Sequence, residues 1–358
     1  MALPKVGIVL VNYRDYARRF LVECRDSLRA QNYPHDLMRI YIVDNASSEE
    51  TRNFLRQTFP EAEVIARLDG NYAAANNRGI ERARANGCHF FVIANMDTVF
   101  HPDWLKELVL AMQNNPRAGI AQSKILLYPK NSQTEERPLI NSTGNLLHYL
   151  GFGFTQDYRR PDYNIEGYPV ISGYASGCSF IIRREVLDKI GGYNEEYYMY
   201  HDDIELSWRA KLAGWTIILA PRSVVYHKYE FSRSIRMLYY MERNRHLVMF
   251  HFYRWRTLAL ILPAWLVMEL GMWLYALWGG WLGVKARAMG YFLRPSVWFK
   301  IAKTRCQSNK WRCLADKDIL ATMVGRVEFQ EINNPLLKYL GNPFLDWYGR
   351  VIKKLISW

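Results

Sequence analysis

The sequence predicts a doubly wound α/β fold, followed by a helical C-terminal region that is both basic and apolar. Three observations carry that prediction. Short, unbroken apolar runs alternate with amphipathic stretches over the first half of the chain, as in parallel strands buried on both faces. Polar residues stand at the exits of those runs. In sheets of this kind ligands bind beyond the carboxyl ends of the strands, where Asn12, Asp44 and Asp97 fall.

The elements follow in order. Residues 6–11 (Val-Gly-Ile-Val-Leu-Val) form a first buried strand, and residues 16–31 a helix. A second strand at 40–43 leads into Asp44-Asn45-Ala46-Ser47-Ser48, and Glu49–Thr58 reads as a helix. Residues 64–67 are a short strand, 73–86 a helix, 89–94 a third apolar strand ending in Asn95-Met96-Asp97, and 102–114 a helix. The pattern loosens between 120 and 173, where strands and loops are expected to form the acceptor side of a cleft. Ser179–Arg183 is a strand, 185–190 a helix running into Gly191-Gly192-Tyr193, and Asp202–Leu212 a helix with an acidic first turn, which suits the positive end of its dipole. Strands at 216–219 and 224–226 close the domain, the second delivering His227. The expected division is a catalytic domain at 1–230, with its donor half at about 1–115 and its acceptor half at about 116–230, and a helical region at 231–358.

The 358 residues are half hydrophobic and 23% charged, which supports a packed core and excludes wholesale disorder. The net charge of +13 is unevenly placed. Residues 1–227 carry 26 basic and 26 acidic side chains, residues 228–284 carry 7 and 3, and residues 285–358 carry 14 and 5. The excess therefore lies entirely after His227. A nucleic-acid binder would set its basic stripe on the folded domain, whereas basic residues beside a greasy segment point to an anionic membrane surface. Five scattered cysteines (Cys24, Cys88, Cys178, Cys306, Cys313) match neither a zinc knuckle nor a disulfide framework. With no signal-peptide pattern at residues 1–7, a reducing, cytosolic setting is expected.

The chemistry-bearing residues are individually weak signals. Asp44, at a strand exit, can accept from a ribose hydroxyl or a pyrimidine N–H, although Asp there is more often a helix cap. Asp97 offers an oxygen ligand to a hard divalent cation, and Asn95 a neutral carbonyl. Asp202, Asp203 and Glu205 crowd one helix start, where like charges raise a carboxylate's pKa and suit it to accept a proton. His227 ends a strand, where a bland structural role is the more common one.

Taken in order, Asn12-Tyr13, Asp44-Asn45, Asn71 with Asn76-Asn77-Arg78-Gly79, Asn95-Met96-Asp97, Gly191-Gly192-Tyr193, Asp202-Asp203-Ile204-Glu205 and His227 resemble the family-two glycosyltransferases. The rhamnosyltransferase-like and galactofuranosyltransferase-like branch is the most similar. The resemblance covers roughly residues 5–230. It implies a GT-A fold, a nucleotide-sugar donor (dTDP-rhamnose first, UDP sugars next), Mg²⁺ or Mn²⁺, and inversion at the anomeric carbon. By position it implies Asp203 as general base, Asp97 and His227 as metal ligands, and Asn12, Asp44, Asn76, Asn77, Gly79 and Asn95 on the donor side. Two departures from the family pattern stand out: Asn95 replaces an acidic residue of the metal motif, and Asp202 and Glu205 stand where Glu and Asp are usual.

Rival classes fit less well. A nucleotidyltransferase would carry a Gly-rich basic loop after its first strand, which Val11-Asn12-Tyr13-Arg14 is not. A dinucleotide-binding dehydrogenase would show Gly-x-Gly-x-x-Gly. A catalytically inactive membrane-bound scaffold is opposed by the intact Asp97, Asp203 and His227.

The run at 258–284 has one charge, Glu269, and the length of a membrane span. Pro263 and Gly279-Gly280 interrupt it, however, its Trp residues are spread along it, and both flanks are basic. The expectation is a monotopic attachment at the cytoplasmic face of the cell membrane, as an interfacial helix or shallow re-entrant hairpin. The expected partners are the donor, a glycan or polyprenyl-linked glycan acceptor and an anionic membrane surface, with no nucleic acid. A homo-oligomer is left open.

Overall fold

The computed structural model describes residues 3–129, 137–229, 237–328 and 334–358. The chain forms two compact units: Met1–Asn145, Thr155–Ala210 and Trp215–Tyr229 make the first, and Leu146–Phe154, Lys211–Gly214 and Glu230–Trp358 the second.

The first unit opens with β1 (Val6–Tyr13), α1 (Tyr16–Arg29), β2 (Met38–Asn45), α2 (Glu49–Thr58), β3 (Glu63–Arg67), α3 (Tyr72–Ala85) and β4 (Phe90–Ala94). It continues through β5 (Thr98–Phe100), α4 (Trp104–Asn114), β6 (Ala118–Leu127) and β7 (Ile140–Ser142). A small ribbon, β8 (Asn145–Leu147) with β9 (Gly153–Thr155), lies mainly in the second unit, after which the first unit resumes. β10 (Ser179–Arg183), α5 (Arg184–Ile190), α6 (Asp202–Leu212) and β11 (Thr216–His227) complete it. The main sheet runs β3-β2-β1-β4-β10-β6-β11-β5, with β7 beside β6. β3, β2, β1 and β4 are parallel, β10 is antiparallel to β4 and β6, and β11 is parallel to β6. The central strand β1 is buried from Val6 to Asn12, so its apolar run reflects helices on both faces.

Two packing details fix the donor side. Gly79 in α3 faces β1, where an added Cβ would lie 2.4 Å from Val9 Cγ1. Only glycine lets that helix lie so close to the strand. Ser48 caps α2 and Asn71 caps α3, each side chain accepting a backbone N–H of the first turn.

The sequence expectation separates 216–219 from 224–226, but the structure runs one strand, β11, through both. The register slips between Ala220 and Val224, around Pro221, which has no N–H to give to the ladder.

The second unit is helical: α7 (Leu238–Phe252), α8 (Trp255–Trp278), α9 (Leu282–Gly290), α10 (Pro295–Asn309), α11 (Asp316–Ala321) and α12 (Asn342–Leu355). α8 continues through Pro263, which lies on the exposed side of the helix. It ends at Gly279-Gly280, where Gly280 takes φ +72°. Among the described residues α8 is the one helix long and apolar enough to cross a membrane, by length and composition. Its inner side buries Ile261, Ala264, Met268 and Glu269.

Glu269 is far from a stray charge. Its carboxylate accepts from Lys285 Nζ at 2.5 Å and Arg245 Nη2 at 2.5 Å, and lies 3.1 Å from His246 Nε2. Glu242 also pairs with Arg245 and Lys285. Two acids and two bases thus balance, and burial, followed by Arg245, depresses the pKa of His246 and favours its neutral form. Glu242, His246 and Glu269 lie close enough to hold a metal ion, but Arg245 and Lys285 already occupy their carboxylates.

Candidate active site

The exits of β1, β2 and β4 gather the donor-side residues. Asn12 is fully buried; its Nδ2 donates to Asp44 Oδ1 at 2.7 Å, and its Oδ1 accepts from Ala17 N. Asp44 Oδ2 accepts from Ser47 Oγ at 2.6 Å and Arg52 Nε at 3.1 Å. The carboxylate is fully buried, so contact with a donor at Asp44 requires Ser47 or Arg52 to turn away. Asn45 Oδ1 accepts from Gly70 N. Asn45 Nδ2 and Asn76 Oδ1 are buried with no hydrogen-bond partner among the described residues.

Asn77 faces the Gly191-Gly192-Tyr193 loop: its Nδ2 donates to Tyr193 O, and its Oδ1 accepts from Tyr193 N at 2.7 Å. A side chain at Gly192 would come within 2.4 Å of Asn77 Oδ1. The structure thus gives Asn77 a loop-holding role and Gly79 a packing role.

The metal motif lies beyond β4. Asp97 is buried, its Oδ2 accepting from the Tyr16 hydroxyl. Its Oδ1 lies 3.4 Å from His227 Nε2. The pairing of β11 with β5 opposes His227 to Thr98 and so brings the two together. His227 Nδ1 lies 2.9 Å from Asn141 Oδ1. That oxygen only accepts, so in the neutral ring Nδ1 carries the hydrogen and Nε2 turns its lone pair toward Asp97. Burial opposes a charged ring, but the Cys178 sulfur and the Asp97 carboxylate outweigh it and hold His227 well above the ordinary imidazole range.

These residues fit a hard divalent cation. At metal–ligand distances of roughly 2.0–2.2 Å, a 3.4 Å separation corresponds to neighbouring coordination positions about 100–115° apart. Asn95 Oδ1 accepts from the Tyr72 hydroxyl at 3.3 Å, which leaves this amide in a supporting position.

The acidic start of α6 resolves into different environments. Glu205 is buried and paired with Arg209 Nη2 at 2.6 Å, and Arg209 in turn holds the carbonyls of Ile190 and Gly192. It is a loop anchor. Asp202 is buried, and burial together with Asp203 raises its pKa well above the ordinary range. Asp203 is half-buried; burial pushes it up to about 6, against backbone hydrogen bonds from Gly177 and Ile204 that lower it. Those bonds are 3.1 Å from Gly177 N to Oδ2 and 2.8 Å from Ile204 N to Oδ1.

Sequence reasoning missed three features. Gly177 holds Asp203, while the next residue, Cys178, faces His227 and accepts from Asn95 N. Asn141 fixes the His227 ring. Tyr198, Tyr200 and His201, just before α6, all have positive φ, and Tyr198 O accepts from Tyr72 N and Ala73 N at the start of α3. Such strained backbone clusters at functional sites.

The comparisons with known proteins identify the family. The glycosyl transferase family 2 pattern matches residues 7–191, just over half of the chain. The chain belongs to glycosyl transferase family 2. This family-2 glycosyltransferase is 28% identical over 204 residues to an N-acetylglucosaminyl-diphospho-decaprenol L-rhamnosyltransferase of Mycobacterium tuberculosis, covering 52% of this chain and 66% of that one. The chain therefore spans just under two thirds of that relative's length. It is 20% identical over 231 residues to the O-antigen chain rhamnosyltransferase WbaN of Salmonella anatum, covering 64% and 68%. Among solved structures, GalNAc-T7 with UDP, GalNAc and Mn²⁺ superposes with a TM-score of 0.52 at 16% identity, over 64% of this chain and 44% of that one. The shared fold is GT-A: a mostly parallel sheet with flanking helices, here followed by a helical C-terminal region.

Proposed function

We propose that this glycosyltransferase is inverting and metal-dependent. It moves a sugar from a nucleoside-diphosphate donor, dTDP-rhamnose first, to a glycan or lipid-linked glycan in cell-surface polysaccharide synthesis. The observation that carries the proposal is the Asp97–His227 pair, buried and 3.4 Å apart, with the imidazole oriented by Asn141. The rhamnosyl donor and the lipid-linked acceptor are supported by what the named relatives act on.

Asp97 and His227 would hold Mg²⁺ or Mn²⁺, which when bound would supply positive charge to neutralise the leaving nucleoside diphosphate. Asn45 Nδ2 and Asn76 Oδ1, buried and without partners among the described residues, would reach the donor only if neighbouring side chains move. Asp203, with a pKa near 6, is ionised at neutral pH yet basic enough to take a proton. It removes that proton from the acceptor hydroxyl as the oxygen attacks opposite the leaving group. One displacement inverts the anomeric centre. Burial and the Asp203 charge raise the pKa of the neighbouring Asp202 well above the ordinary range, which favours its neutral form beside the ionised base. The exposed apolar side of α8 and the basic C-terminal region support the proposal that the enzyme works on the cytoplasmic face of an anionic membrane.

A panel of nucleotide sugars tests this reading through protection against thermal unfolding and release of nucleoside diphosphate, each with and without excess chelator. dTDP-rhamnose should protect most, and only with divalent cation. Stronger protection by a UDP sugar would move the donor assignment, and chelator-insensitive turnover would remove the metal.

A further inference from the structure

The second unit contains a cavity of about 580 Å³ that the family-2 chemistry does not use. It is lined by Arg254, Arg305 and Arg312, with Trp255, His251 and Ser308 among the other lining residues, and no carboxylate among the described residues lines it. Its volume is that of a small-ligand site.

The three guanidinium groups are in different states. Arg312 is committed to Asp316 and to the carbonyls of Phe252 and Leu314. Arg305 donates through Nη1 alone, to the carbonyls of Phe250 and Tyr253, and stacks 4.2 Å from the Trp255 ring centre. It has no carboxylate partner among the described residues, and burial lowers its pKa. Arg254 is exposed, and its guanidinium has no acceptor among the described residues. Two cationic forks therefore border the cavity with no ion pair of their own among the described residues; the Asp316 carboxylate, which raises the pKa of Arg305 from a distance, is paired with Arg312. The surrounding sequence sharpens the imbalance: between Glu269 and Asp316 there are eight Lys or Arg and no acidic residue.

One wall continues into an apolar track. Trp255 opens α8, and Trp255, Ala259, Leu262, Leu266, Leu270, Leu274 and Leu277 recur at helical spacing, all exposed. This row is about 33 Å long at 1.5 Å per residue. Trp298 and Phe299, both exposed, extend the aromatic edge, with Trp298 6.4 Å from the Trp255 ring.

We propose that this cavity binds the diphosphate group of a single-chain isoprenoid lipid, whose hydrocarbon lies along the exposed row of α8. Two unmatched guanidinium groups suit the multiple charges of a diphosphate better than the single charge of a phosphodiester. One row on one helix suits one chain rather than two. The inference rests on the lipid-linked acceptor proposed above and gives that acceptor a site.

The test uses the full-length protein in calorimetric titration with farnesyl diphosphate, inorganic diphosphate, farnesol and dihexanoyl phosphatidylglycerol. Farnesyl diphosphate should bind most tightly, and Arg254→Gln should weaken it about tenfold, with Arg305→Gln adding to the loss. Because Arg305 also supports two carbonyls, Arg254→Gln is the decisive variant. An unchanged affinity in Arg254→Gln would overturn the site. So would inorganic diphosphate or the phosphatidylglycerol binding as tightly as farnesyl diphosphate. Donor hydrolysis without acceptor should be the same in Arg254→Gln as in wild type. Transfer to a lipid-linked acceptor with unchanged KM in Arg254→Gln would refute this site while leaving the acceptor reading intact. Arginine-dependent farnesyl diphosphate binding without transfer to any lipid-linked acceptor would support the site and refute that reading.

Discussion

Replacing Asp203 by Asn should damage catalysis and yet make the protein more stable as pH rises. The carboxylate has a pKa of about 6 in the folded protein against an ordinary 3.8. A group whose folded pKa is raised contributes stability below its unfolded pKa and loses that contribution as pH climbs through the folded value. At roughly 1.4 kcal/mol per pKa unit, ionising Asp203 costs the fold up to about 3 kcal/mol between pH 4 and pH 7. Because the side chain is half-buried, solvent screening brings this nearer ~1–2 kcal/mol. Asparagine escapes that penalty but has one acceptor oxygen for the two N–H groups of Gly177 and Ile204, a loss of about 1 kcal/mol at every pH. Urea denaturation from pH 4 to 7.5 should show the variant less stable than wild type at pH 4 and gaining on it steadily toward pH 7. Over the same range, wild-type kcat/KM should fall about tenfold per unit below pH 6, and the variant's transfer rate should drop at least ~100-fold. A stability difference independent of pH, or normal transfer by Asp203→Asn, would refute the reasoning. If Asp202→Asn were inactive instead, the base would move one residue upstream.

Four further outcomes follow from the packing and the ring geometry. Asn141→Ala frees the His227 ring and should weaken cation-supported donor binding about 10–100-fold with little change in the unfolding midpoint, measured by titrating Mn²⁺ against donor protection. That binding should weaken further as pH falls, because the proton favoured on His227 competes with the cation. Gly79→Ala drives a methyl into Val9 and should destabilise the protein by about 1–3 kcal/mol in urea. Glu269→Gln leaves Lys285 and Arg245 undercompensated in a buried network and should remove about 3–5 kcal/mol from the same measurement.

What the sequence made legible was periodic or local. Glu49–Thr58, Ser179–Arg183 and Asp202–Leu212 appear with the boundaries their patterns imply, and the apolar runs at 6–11 and 89–94 are the central strands β1 and β4. Asp97 and His227 were recognisable only as members of an ordered set of motifs. Their proximity depends on β11 pairing antiparallel with β5, where His227 opposes Thr98 from 129 positions away and leaves no local trace. Asn141 is hidden for the same reason: it lies 86 residues from the ring it holds. Glu269 reads as a lone charge in a greasy run because Arg245 and Lys285 are 24 and 16 residues away. The left-handed turn at Tyr198–His201 carries no glycine to announce it. Asn77 and Gly79 were conspicuous as a motif, but the motif alone does not separate donor contact from helix packing.

The most direct test of the central claim is the anomeric configuration of the product. Full-length enzyme, dTDP-rhamnose and a lipid-linked glycan acceptor would be incubated with Mn²⁺ or with excess chelator, and the new linkage read by proton NMR. The account predicts a single product whose configuration is opposite to the donor's, formed only with the divalent cation present. Retention of configuration would contradict a single displacement with Asp203 as base, and equal turnover in chelator would contradict the Asp97–His227 metal site.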